Sequence, residues 1–282
     1  MPDVVRPEFR PDPSLSREAM EALQRDVAAA AVFEDDLGFD PAAVRLDAGQ
    51  RSLATGVEPA AGADATDGTN TADAAARFPD PPLVAGIDQA FLDDRAVSAV
   101  VVTRGSEVVE RTYAVSPLDV PYIPGLLSFR EGGPVLDALA TLDAEPDLYV
   151  LDGSGRVHFR EAGIATHVGV MLDAPAVGVA KSLLCGRLEE EPDGRPAGWR
   201  TPILANGRVT APEGTVIGYA YQSRQYDTNP VINPLYVSPG HRVSAETTVD
   251  LVAGLCDGYK LPEPTRLADS YADDAKREVR KG

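Results

Sequence analysis

PYIPGLLSFREGGPVLDALATLDAEPDLYVLDGSGRVHFREAGIATHVGVMLDAPAVGVAKSLLCG, residues 121–186, is the stretch that decides the fold of this chain. Its two prolines fix φ on either side of Tyr122-Ile123, so it opens on a stiff turn. Phe129, Val135, Leu136, Leu139 and Leu142 recur at helical spacing. Leu148 to Leu151 reads as a short buried strand that ends on Asp152 and the turn Gly153-Ser154-Gly155. A helix over Ala162–Leu172 and a strand over Ala176–Val179, running on to Lys181, complete the unit.

Working outward, Leu83–Asp88, Val97–Val102 and Val108–Val115 read as three strands. The turns Asp93-Asp94 and Arg104-Gly105-Ser106 join them into an antiparallel meander. Downstream, Val216–Tyr221 and Pro234–Val237 have strand character, and Ser244–Cys256 is an amphipathic helix. Three antiparallel strands followed by alternating helix and strand predict an α/β protein: an RNase H-like mixed central sheet flanked by helices. Ser16 caps a further helix whose apolar stripe runs through Met20, Leu23, Val27, Ala30 and Val32. Residues 1–46 are thus an arm and helix packing on a catalytic domain at 81–265. Residues 47–80, rich in Ala, Gly, Asp and Thr, read as a flexible low-complexity insertion. Residues 266–282 read as a charged tail that frays.

The net charge is −18, which by itself argues against a broad phosphate-binding surface. Lysine occurs only at 181, 260, 276 and 281, while Asp and Glu are spread over every region. That pattern suits work in concentrated salt, where the Debye length falls to about 3 Å at 1 M; an ordinary acidic enzyme is the plainer alternative. The groove around residues 121–181 is expected to be less acidic than the rest, with Arg130, Arg156 and Arg160 free for phosphates. Cys185 and Cys256 make neither a disulfide framework nor a zinc site and read as small buried hydrophobes. No N-terminal signal pattern and no apolar run of roughly 18 residues is present, so a soluble, cytoplasmic protein is expected.

Asp88 and Asp152 each close an apolar strand, and carboxylates at the ends of adjacent central strands meet at one edge of the sheet. Glu131 opens a helix just after the proline turn and leans toward the same place. Three carboxylates without thiols suit a hard divalent cation, Mg²⁺ or Mn²⁺. Each also has a plainer reading. An Asp after a strand is often a turn former, and Glu in a first helical turn is favoured by the helix dipole. Lys181 ends a buried run and needs an anionic partner, either a carboxylate or a phosphate. His158, His167 and His241 complete the set, although a lone His is more often structural than catalytic.

The blocks GIDQAF (86–91), PYIPGLLSFRE (121–131), LDGSGRVHFREAGIATHVGV (151–170), GVAKSLLCG (178–186) and PLYVSPGHRVS (234–244) resemble, in order, the endonuclease V family of deoxyinosine 3′ endonucleases. The resemblance implies that Asp88, Glu131 and Asp152 hold the metal, with Lys181 and His241 as further catalytic residues. It makes Pro121, Tyr122, Ile123 and Pro124 a wedge that separates the strands beside a lesion. It makes Gly125, Leu127, Gly153, Gly163 and Ile164 the pocket for a flipped base, with His158 and His167 in support. The chain departs from the family at Phe159, where a proline is usual, and at Asn233, where many members carry lysine. The implied reaction is Mg²⁺-dependent hydrolysis (Mn²⁺ as a substitute) of the second phosphodiester 3′ to deoxyinosine in single- or double-stranded DNA, by a monomer. The competing readings are an endonuclease for inosine in RNA and a lesion-binding module without catalysis.

Overall fold

The computed structural model describes residues 2–46 and 81–281, so the reading of 47–80 as an insertion lies outside the described residues. Among the described residues nine strands form a single sheet: β1 (Leu83–Leu92), β2 (Arg95–Arg104), β3 (Glu107–Pro117), β4 (Leu148–Asp152), β5 (Ala176–Ala180), β6 (Arg187–Leu188), β7 (Arg200–Leu204), β8 (Val216–Tyr221) and β9 (Leu235–His241). Their order is β3-β2-β1-β4-β5-β9-β8-β7-β6. β1 to β3 are antiparallel, β4 and β5 run parallel to β1, and β9 returns antiparallel to β5. The architecture is therefore α/β, a mixed central sheet flanked by helices.

Among the described residues five α-helices flank the sheet: α1 (Arg17–Ala30), α2 (Leu127–Leu139), α3 (Ile164–Leu172), α4 (Ala245–Gly254) and α5 (Glu263–Val279). Because side chains alternate along a strand, Ala85, Ile87, Tyr149 and Leu151 pack toward α2 and α3, with Val27 of α1 in the same core. Val84, Leu148, Val150, Val177, Val179, Leu235 and Val237 pack on the other face with α4. Ser16 and Ser244 cap α1 and α4 through their hydroxyls, accepting from Ala19 N and Thr247 N at 3.2 and 3.1 Å. α1 stops at Ala30, short of Val32, because the chain turns extended at Ala31 and Val32 O accepts a bond from Arg242 N at 2.6 Å.

The C-terminal segment corrects the expectation of a fraying tail. Residues 263–279 form α5, whose Ala268, Ala272 and Ala275 are buried, Ala272 against Ala90 and Ala99 and Ala275 against Leu92 and Val97. Alanines at i, i+4 and i+7 make a narrow apolar stripe that lets a charged helix lie close to a sheet. The closest approach is at Gly86, where a Cβ would fall within the Pro264 carbonyl and 2.5 Å from Thr265 N. β1 also runs past Asp88 to Leu92, because β2 keeps pairing as far as Leu92↔Arg95 while β4 stops at Ile87↔Leu151. Asp88 thus sits mid-strand, where the parallel partner ends.

Candidate active site

The period of two puts Asp88, Asp152 and Lys181 on one face of the sheet, at the exit ends of β4 and β5. Lys181 Nζ donates to Asp152 Oδ2 at 2.6 Å. A fourth group comes from α5: Asp269 hydrogen-bonds Asp88 and stands 3.9 Å from Lys181 Nζ. The reading of the sequence missed Asp269, because it lies in the segment taken as a tail. The signal was available in the alanine spacing that makes 263–279 a helix.

Burial pushes the Asp88 carboxyl up to about 8, helped by the Asp152 charge and the bond to Asp269, and opposed by the Gln89 N–H and Lys181. Burial also lifts Glu131 to about 7, with Arg130 opposing and Asp152 assisting. Burial works against the Lys181 ammonium, but its bond to Asp152 and the charges of Asp152, Asp88 and Asp269 hold its pKa above the ordinary value. Like charges crowded out of water in this way call for a cation, and a donor set made only of oxygen suits a hard divalent ion. Among the described residues no three His, Cys, Asp or Glu side chains stand close enough to hold an ion as they are. In this arrangement the Lys181 ammonium supplies positive charge among the carboxylates.

Beside the carboxylates lies a cavity of about 100 Å³. All five glycine-turn and helix-start residues expected to form a base pocket line it: Gly125, Leu127, Gly153, Gly163 and Ile164. Glu131, Asp152, Tyr122 and Pro124 line it as well. Tyr122 is 66% exposed, although flanked by prolines that hold it in place. Gly125 and Gly153 have φ of +80° and +146°, conformations that favour glycine and bring backbone to the cavity wall.

The histidines take different places. His158 accepts from Arg160 N at 3.2 Å through Nδ1, so its Nε2 carries the proton and donates to Gly125 O at 3.1 Å. Burial lowers its pKa to about 4, and the neutral ring fixes the Gly125 turn. His167 is fully buried in α3, bonded to Phe9 O at 2.6 Å and set edge-on to Phe129.

His241 was expected near the metal carboxylates and is not there. β9 runs antiparallel to β5, so Tyr236 pairs with Ala180 next to Lys181, whereas His241 pairs with Ala176 at the opposite end. The strand continues through Pro239-Gly240 to His241, which accepts from Val32 N and bonds Asp173 Oδ1, both at 3.1 Å. The expectation of free arginines is also corrected. Arg130 donates to Val120 O at 2.6 Å, Arg156 pairs with Glu161 at 2.9 Å, and Arg160 pairs with Glu21 at 2.8 Å. Burial lowers the pKa of Lys260, and the Lys181 charge adds to the effect.

Comparison with known proteins gives the family. The family model described as Endonuclease V matches residues 69–270. Endonuclease V of Natronomonas pharaonis is 58% identical over 274 residues, covering 97% of each chain. The catalytic domain of human endonuclease V superposes with a TM-score of 0.70 at 27% identity, covering 95% of this chain and 99% of that one. Endonuclease V of Ciona intestinalis, in complex with a 24mer DNA containing an inosine followed by a ribo-adenosine, matches with a TM-score of 0.58 at 27% identity, over 70% of this chain and 87% of that one. With a family match over most of its length and relatives this similar, the chain belongs to the endonuclease V family.

Proposed function

We propose that this chain is a DNA repair endonuclease that takes a deoxyinosine base into the cavity and hydrolyses the second phosphodiester 3′ to it, leaving a 3′-hydroxyl and a 5′-phosphate. The observation that carries the reading is the shared wall. Asp152 and Glu131 line the same cavity as Gly125, Gly153 and Gly163, so a base seated there draws its strand across the carboxylates. The inosine-containing DNA bound by the Ciona relative supports this choice of base. The exposed Tyr122 stacks into the gap left by the extruded nucleotide, where a base–aromatic contact contributes about 1–3 kcal/mol.

We infer an RNase H-like fold and a site that takes Mg²⁺, with Mn²⁺ as a substitute. Asp88, Asp152 and Glu131 would hold the ion, with Asp269 as a further oxygen donor beside Asp88. When bound, the ion supplies charge neutralisation at the scissile phosphate and an acidified water. Lys181, already held among these carboxylates, turns its ammonium to the phosphate as charge builds there. His241 has no part in this mechanism.

The dispersed acidic surface with four lysines supports a protein adapted to concentrated salt. Two buried free cysteines support a reducing, cytoplasmic setting, and we infer a monomer. Among the described residues no helix is long and apolar enough to cross a membrane. Cleavage of a strand carrying one deoxyinosine, mapped at nucleotide resolution with and without Mg²⁺, tests the whole reading. No Mg²⁺-dependent cut near the lesion would overturn it. A second reading, inosine in RNA, is favoured by one observation: three glycines, Gly125, Gly153 and Gly163, line the cavity, and glycine backbone does not discriminate the sugar. Faster cutting of the matched RNA strand would establish it.

A further inference from the structure

Gln24 is a polar residue where the stripe of α1 calls for an apolar one, between buried Met20 and Val27, and it is 0% exposed. It lines the cavity. Its Nε2 donates to Gly125 O at 3.0 Å and to Ala162 O at 3.3 Å. Those two carbonyls fix the amide orientation, because the flipped amide would set oxygen against oxygen. Its Oε1 is then left buried with no hydrogen-bond partner among the described residues. An orphaned buried acceptor destabilises a fold, and a donor on a ligand in the adjoining cavity would remove that cost.

We propose that Gln24 is a specificity-determining residue that reads the base: its Oε1 accepts the N1–H of hypoxanthine. This rests on the reading of the cavity as a base pocket. Hypoxanthine presents a donor at N1 and a carbonyl at C6, whereas adenine presents an acceptor at N1 and an amine at C6. With adenine, Oε1 would face a second lone pair and stay unsatisfied, which is the strong form of discrimination by hydrogen bonding. α3 begins at Ile164 on the same wall, and the positive end of its dipole suits the C6 carbonyl. Guanine shares the N1–H edge, so Gln24 separates hypoxanthine from adenine and leaves guanine to be excluded by other means. The reader of the base thus comes from the N-terminal helix, far in sequence from the glycines of the pocket.

Because Nε2 also holds Gly125 and Ala162, loss of the side chain alone does not isolate the contact. Gln24→Leu and Gln24→Met are therefore assayed on paired strands. One carries deoxyinosine, and the other carries the purine nucleoside that lacks both O6 and the N1 proton. We expect kcat/KM on deoxyinosine to fall about 10- to 100-fold, with the second strand changed by less than about threefold, so that the preference between them collapses. Equal losses on both strands, or no loss on either, overturn the assignment. If neither variant folds, the Asp152→Asn protein is crystallised with the deoxyinosine strand. N1 within about 3.2 Å of Gln24 Oε1 supports the contact, and a separation beyond about 4 Å refutes it. Failure of the wild-type protein to cut or bind the deoxyinosine strand would instead overturn the functional reading.

Discussion

Replacing Gly86 by alanine tests whether α5 is part of the active site. The new methyl would fall within the Pro264 carbonyl and 2.5 Å from Thr265 N. Ordinary contact lies near 3.5 Å, so the start of α5 must retreat by about 1 Å or more. Asp269 sits five residues on and moves with it, away from Asp88 and Lys181. A misplacement of about 1 Å at reacting groups costs on the order of 100-fold in rate, and overpacking costs about 1–3 kcal/mol of stability. Single-turnover cleavage of a deoxyinosine strand, with denaturant unfolding at the same salt, separates the two effects. We expect a rate loss near 100-fold at substrate saturation, with strand binding changed by less than about threefold. Gly133→Ala is the control, since a Cβ there meets nothing within 4 Å; its rate should be unchanged. Wild-type rates in Gly86→Ala would refute the placement of α5 over β1.

Three further outcomes are expected. Tyr122→Ala should weaken binding to a lesion-bearing strand by about 10- to 100-fold, and leave thermal stability unchanged because the ring is 66% exposed; an unaltered Kd would remove the wedge. Glu131 is held at about 7 in the fold against 4.5 in the unfolded chain, so the fold binds more protons between those values and loses stability as pH rises through them. Without divalent ions, Glu131→Gln should be more stable than wild type by about 1–3 kcal/mol at pH 8 and by little near pH 4, as read by unfolding at both pH values. His167 is depressed to about 4, so its stabilising contribution is complete above 6.5 and lost as pH falls toward 4. The loss is on the order of 3 kcal/mol, and His167→Gln should flatten the pH–stability slope in that window.

Much of the sheet was legible because its strands are short apolar runs between glycine, proline and aspartate turns. β2, buried along nearly all its length, and β4 needed no tertiary information. β6 and β7 were not legible, since Arg187–Leu188 and Arg200–Leu204 lie in a Gly/Pro-rich connection and form only by pairing with each other and β8. α5 was misread because its composition is charged. Its burial depends on small residues fitting the sheet, Ala272 and Ala275 against β1 and β2 and its first turn against Gly86, and composition does not record that fit. His241 was misplaced because a motif gives neighbours in sequence, while the direction of β9 decides which end of the sheet they reach.

The sequence by itself determined the class of fold, the family, three of the carboxylates, the lysine and the glycine turns of the cavity. These are local facts: strand period, turn chemistry, and residue types at fixed spacing. Tertiary structure alone decided that Asp269 joins Asp88, that Gln24 of α1 reaches the cavity, and that Arg130, Arg156 and Arg160 are already engaged. Each of the first two joins elements more than a hundred residues apart. The reason is physical: what a side chain does at a site depends on which backbone approaches it, and close approach is set by packing and strand direction, which no local pattern encodes.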